Sequence, residues 1–175
     1  IELMEGVEDI PGAALHEGLK WQWESFGQYL DYLDARPRDV DIAAQLPHGA
    51  LRVYVMGERA TRLEPANAQD IAQMRELTRE AVRAGALGFS TSRSMNHRSI
   101  KGEPTPSLKA TEDELTGIAQ GLTDAGRGVL QIISDMAYSQ GDELGMVFRI
   151  ARASGRPCSI SLAQSHRKPQ DFRTV

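Results

Sequence analysis

One unit recurs along this chain and restricts its fold more than any other feature. An amphipathic helical stretch ends at a glycine, and a short apolar run begins one to three residues later. Ile71, Met74, Leu77, Ala81 and Val82 share one face of a 3.6-residue helix, with Asn67 placed to cap its start and Gly85 to stop it. Ala86 to Phe89 follow. Leu115, Ile118, Ala119 and Leu122 form a second such stripe, opened by Thr111 with Glu114 and closed by Gly126, before Val129 to Ile133. Leu144, Val147, Phe148 and Ala151 form a third, stopped by Gly155 and Pro157, before Cys158 to Leu162. An earlier helix is marked by Phe26, Tyr29, Leu30 and Leu33, with a Ser25–Gln28 capping pattern and Pro37 beyond its end. Val40 to Ala44 is a further apolar run of strand length. The runs lack clean alternation, which suits strands covered on both faces. Helices alternating with such strands predict an α/β fold of parallel βα repeats, one domain over residues 1–175 without an internal boundary. A closed barrel and a doubly wound sheet both fit this periodicity.

Composition narrows the function classes. Lys plus Arg number 20 against 24 for Asp plus Glu, a net charge of −4, so no general basic surface offers itself to nucleic acid. No apolar stretch approaches the roughly 18 residues of a membrane span, and the acidic start from Ile1 to Asp9 has no signal-peptide pattern. Cys158 is the single cysteine, which excludes an internal disulfide and fits a reducing compartment. A cytoplasmic protein without membrane or nucleic-acid partners is the expectation. GxGxxG, Walker A, GxSxG and HExxH patterns are all absent. Cys158 reads as a small core residue. Trp21, Trp23, Phe26 and Tyr29 read as core or interface packing, since no basic residues accompany them.

In barrel and doubly wound sheets alike, chemistry gathers at the carboxyl ends of the strands. The residues leaving the four runs are Gln45 and His48, then Ser90 to Arg93, then Ser134 and Asp135, then Gln164 and His166. The segment Ser90 to Lys109 carries Arg93, His97, Arg98 and Lys101 against one acid, Glu103. It reads as an anion-recognising loop over the strand ends, because guanidinium groups suit carboxylates, or else as a solvated insertion. Asp135 suits a base, a ligand or a helix-start carboxylate. The candidate substrate-binding residues are Ser90, Arg93, His97, Arg98, His48 and Asp135. No local histidine pair marks a metal site.

Several stretches have recognisable wording. GVEDIP (Gly6 to Pro11), WQWESFGQYLDYL (Trp21 to Leu33), PHGALRVYVMG (Pro47 to Gly57) and AGALGFSTSR (Ala84 to Arg93) resemble the N-acyl-D-amino-acid deacylase group of the amidohydrolases, the D-aminoacylase-like proteins. GVLQIISD and SISLAQ do so more loosely. The resemblance implies a metal-dependent (β/α)₈ barrel with a small accompanying β-domain. It also implies hydrolysis of an amide, removing an acyl group from a D-amino acid by water that a divalent metal, usually zinc, activates.

The group's His-x-His, its Asn-Cys-Gly segment and its late catalytic Asp have no counterpart in this chain. A (β/α)₈ barrel takes about 250 residues, so the chain is expected to be an internal fragment, about half of a barrel, inactive alone. The group's metal-binding histidines at two central strand ends are replaced by Ile132-Ile133-Ser134-Asp135 and Ser161-Leu162-Ala163-Gln164, with His166 falling later. The Tyr of its GLSTGLEY segment gives way to the region around Met95. No metal ligand is therefore assigned here, and the catalytic groups are expected elsewhere in the protein. The expected partner is an N-acyl amino acid or a related amide. A non-catalytic barrel relative, or a doubly wound domain, binding a small anion is the alternative.

Overall fold

The structure, a computed structural model, describes residues 1–135 and 142–161. Two short helices, α1 (Glu2–Glu8) and α2 (Gly12–Gly18), precede α3 (Phe26–Asp34). Strand β1 (Leu46–Pro47) runs into α4 (His48–Met56), the single turn α5 (Glu58–Thr61) and α6 (Ala68–Ala84). Strand β2 (Gly88–Arg93), α7 (Glu112–Asp124), β3 (Val129–Ser134), α8 (Glu143–Ser154) and β4 (Cys158–Ser161) complete the described elements.

The four amphipathic stripes are helices, and local chemistry sets their starts. Ser25 and Gln28 exchange side chain-to-backbone bonds in a full capping box, as do Asn67 and Asp70. Thr111 caps α7 by accepting from the Glu114 amide. The expected reciprocal bond from Glu114 is absent, because that carboxylate turns into the core. Gly155 ends α8 in the left-handed region, which glycine enters without a Cβ penalty.

The strands form one parallel sheet in the order β1-β2-β3-β4. Phe89 pairs with Leu46 on one side and Leu130 on the other, and Leu130 with Cys158. Parallel neighbours joined by right-handed crossovers that step always in one direction place every connecting helix on the same face. A doubly wound sheet reverses its strand order and covers both faces. The described repeats are therefore α/β in the barrel sense, about half of a (β/α)₈ barrel. The first strand lies later than expected. Val40 and Ile42 are 68% and 52% exposed and belong to no strand, while Leu46 and Pro47 carry the ladder. Pro47 lacks an amide donor and is tolerated because β1 pairs only with β2 among the described strands.

The core lies between this sheet and the helices. Phe89 and Leu130 from the sheet meet Leu51 and Met56 of α4, Met74 and Val82 of α6, Ile118 and Leu122 of α7, and Ile150 of α8. Helices α6 and α7 approach closely because Gly117 and Gly121 face the partner; a Cβ on Gly121 would sit 2.4 Å from the Arg75 carbonyl oxygen. Cys158 is half-buried and packs against the core edge, and burial pushes its thiol pKa up. Trp23 stacks at 4.7–5.6 Å on Trp21, Tyr29 and Tyr32, with Trp21 56% exposed, so this aromatic group lies at the surface. No helix among the described residues is long and apolar enough to cross a membrane.

Candidate functional site at the strand ends

Side chains alternate across a strand, so β2 divides its residues between two faces. Phe89 and Thr91 are buried toward the helices, and Arg93 continues that row. Ser90 and Ser92 face the other side, level with Gln131 and Ile133 of β3 and Ser159 and Ser161 of β4. These residues are partly or fully exposed, and all but Ile133 are polar. In a sheet with its helices on one face, this second surface is the barrel interior.

At the carboxyl edge, Arg93 crosses to α8. Its Nε and Nη2 donate to Glu143 Oε2 and Oε1 at 2.9 and 2.7 Å, and its Nη1 donates to the Ala110 carbonyl. Ser134 Oγ adds a bond to Glu143 Oε2 at 2.8 Å. The Arg93 guanidinium is the main reason the Glu143 carboxyl titrates below its usual range. This pair ties the ends of β2 and β3 to the start of α8. Asp135, the first residue beyond β3, accepts from Ser94 Oγ at 2.7 Å and from the Met95 amide at 2.5 Å. His97 Nδ1 lies 2.7 Å from Ser92 Oγ. Arg98 donates to the Met95 and Gly102 carbonyls, closing the turn in which Arg98 bridges Pro104. The loop is folded, with Ser94, Ser99, Thr105 and Ser107 buried. Ser107 Oγ donates to the Ser92 carbonyl at 2.7 Å and so pins the loop to the strand.

Beneath this edge lies a buried ionic network. His48, Arg52 and Glu114 are each at most 1% exposed. His48 Nε2 and Arg52 Nε reach Glu114 Oε1 at 2.8 and 2.7 Å, and His48 Nδ1 lies 2.8 Å from Thr91 Oγ1. A carboxylate only accepts, so Nε2 carries the proton of a neutral ring and Nδ1 accepts from the threonine hydroxyl. Burial pushes the His48 pKa down, against the opposing pull of Glu114. Arg52 also donates to the Glu64 carbonyl at 2.7 Å and to that of Pro106 in the loop.

The structure thus brings Ser90, His97 and Asp135 to the carboxyl edge or the interior face. Arg93 and Arg98 stand beside them but spend their donors on Glu143 and on loop carbonyls. His48 is enclosed in the helix layer, and Gln164 and His166 lie outside the described residues. Sequence reasoning missed Arg52, Glu114 and Glu143. Their signal was faint: His48, Arg52 and Met56 recur at i, i+4 and i+8, a helical spacing hidden by a proline, a glycine and two valines. Among the described residues no three His, Cys, Asp or Glu side chains converge as a metal-binding group.

A parallel, sequentially ordered βα sheet with its polar residues at the carboxyl edge is the framework of a barrel enzyme. Residues 1–174 match the Amidohydrolase family, and the chain belongs to that family. D-aminoacylase of Alcaligenes xylosoxydans xylosoxydans is 31% identical over 147 residues, covering 84% of this chain and 28% of the relative. An uncharacterized protein of Mycobacterium tuberculosis is 33% identical over 94 residues, 51% of this chain and 15% of that protein. A solved D-aminoacylase structure concerned with its binuclear metal centre superposes with a TM-score of 0.67 at 26% identity, over 86% of this chain and 30% of that one. Another, described as defining a novel subset of amidohydrolases, gives 0.65 at 27% with the same coverage. The chain thus spans under a third of these relatives' length.

Proposed function

We propose that the protein carrying this chain hydrolyses the amide bond of an N-acyl amino acid, with the D configuration preferred. The observation that carries the reading is the family match over residues 1–174, sharpened by the 31% identity to D-aminoacylase. The relatives' binuclear centre supports a divalent metal, and we take it to be zinc. No three described side chains converge as a metal-binding group, and the roles given to this chain concern binding and orientation.

In this reading the substrate lies over the carboxyl edge of β2 and β3. Ser90 and His97 offer hydrogen bonds, and Asp135 fixes the loop turn at Ser94 and Met95. Arg93, Arg98 and His48 support the same surface from behind, Arg93 through Glu143, Arg98 through the turn and His48 through Thr91. A substrate held rigidly by its carboxylate presents its amide at a fixed place, which lowers the entropic part of the barrier. We place the protein in the cytoplasm, in keeping with its single cysteine.

The test is release of free amine by the full-length protein, supplied with zinc, from N-acetyl-D- and N-acetyl-L-amino acids. Turnover of the D series is expected. Calorimetric binding without turnover would favour a non-catalytic binder of small anions. Failure of the protein both to bind and to turn over either series would overturn the reading.

A further inference from the structure

Three cations at or beyond the end of β2 are engaged by other groups of the chain, Lys101 in an exposed pair. Arg93 is bound by Glu143 and the Ala110 carbonyl, Arg98 by two loop carbonyls, and Lys101 by Glu2 at 2.6 Å. His97 differs. Its ring is half-buried, Nδ1 is engaged by Ser92, and Nε2 makes no hydrogen bond with any described residue.

The surroundings of the Ser92 hydroxyl bear on what that nitrogen carries. Ser92 Oγ accepts the Ser94 amide at 3.4 Å, using one of its lone pairs. Its single hydrogen has one described acceptor, His97 Nδ1 at 2.7 Å. An imidazole that accepts at Nδ1 must, when neutral, hold its proton at Nε2. The backbone that carries the ring and its Ser92 partner is also held. The His97 amide donates to the Ser94 carbonyl, Ser94 is bound to Asp135, and the Ser92 carbonyl is held by Ser107. Ser92 belongs to the interior row of the sheet, so the locked imidazole stands where barrel ligands bind.

We propose that His97 Nε2–H is the donor that recognises a carboxylate of the ligand, and that Ser92 is a positioning residue that sets its tautomer. The proposal deepens the deacylase reading and rests on it for the identity of the ligand. It makes the His97 imidazole, in place of Arg93 and Arg98, the specificity group for an acidic substrate.

The decisive measurement needs no substrate. Long-range ¹H–¹⁵N spectra of the labelled protein at alkaline pH should show His97 as the Nε2–H tautomer, and Ser92→Ala should mix the two tautomers while Ser92→Thr keeps the first. An Nδ1–H tautomer in the unaltered protein would overturn the proposal. With an N-acyl amino acid, His97→Ala should raise KM about 10- to 100-fold with little change in kcat. The amide-capped analogue, which lacks the carboxylate, should lose much less, and His97→Gln should recover part of the affinity. An equal loss for both ligands would refute recognition of the carboxylate. Should the protein turn over no N-acyl amino acid, calorimetric binding of the same pair of ligands reads the same difference.

Discussion

Replacing Arg52 by Met tests whether the buried network holds the loop on the sheet. Methionine has nearly the reach of the arginine stem, so the lost quantity is charge and hydrogen bonds more than volume. Glu114 would keep its bond from His48 but lose its cationic partner at 2.7 Å, and its Oε2 already lacks a hydrogen bond among the described residues. Stranding one member of a buried ion pair costs about 3–5 kcal/mol. The Glu64 and Pro106 carbonyls lose their donor as well, and each such loss costs up to about 1–3 kcal/mol where water does not replace it. These effects overlap, so about 4 kcal/mol is the expected destabilisation, a large share of the 5–15 kcal/mol typical of a domain. Arg52→Met with Glu114→Gln removes the stranded charge and leaves an acceptor for His48. It should therefore recover about 2 kcal/mol. Urea denaturation with unchanged slope measures both. A cost under about 1 kcal/mol for Arg52→Met, or strict additivity in the double variant, would show that the network is not a coupled unit.

The remaining predictions concern neighbouring features. Because the folded protein holds His48 neutral while the unfolded chain takes up a proton near pH 6.5, stability should fall as pH drops below about 6.5. His48→Gln should flatten that acid slope in denaturation measured from pH 8 to pH 5. A Cβ at Gly88 would meet the Val129 carbonyl oxygen at 2.0 Å, so Gly88→Ala should destabilise by about 2 kcal/mol or more, read by thermal melting. Melting unchanged from the parent would show that β2 and β3 separate freely. Arg93→Ala and Glu143→Ala should lower kcat/KM by similar factors, about tenfold, since either change removes the strut between β2 and α8. A loss confined to Arg93→Ala would instead show that the guanidinium touches substrate.

Legibility followed the range of the interactions concerned. The cores and caps of α3, α6, α7 and α8 rest on contacts within one or two turns, so spacing and capping residues disclosed them. Strand β1 did not obey its local signal. Val40 and Ile42 look apolar enough for a sheet, yet pairing with Phe89 and Ser90 falls to Leu46 and Pro47, a choice made by the tertiary register. Helix α4 was obscured because its start reads Pro-His-Gly and its buried side includes His48 and Arg52. Both side chains meet in Glu114, 66 residues from His48 in the chain, a distance that periodicity does not span. Arg93 shows the same limit at the site. Its place at the carboxyl edge was legible, although Ser90 to Arg93 lie within β2 and not beyond it; its partner Glu143 lies on the next helix but one, and that partner changes what the guanidinium is free to do.

The consecutive order of the strands bears on how the chain is made. Each strand after β1 pairs with the strand synthesised just before it, so no described strand waits for a partner made later. Synthesis proceeds from the amino end, and β2 emerges after β1, β3 after β2 and β4 after β3. The sheet grows at one edge, as a staircase is laid tread by tread. The loop bearing His97 leaves the ribosome before β3 does, and Asp135 arrives to hold it only when that next step is in place. The His97 loop is thus secured one repeat late, when the following strand docks.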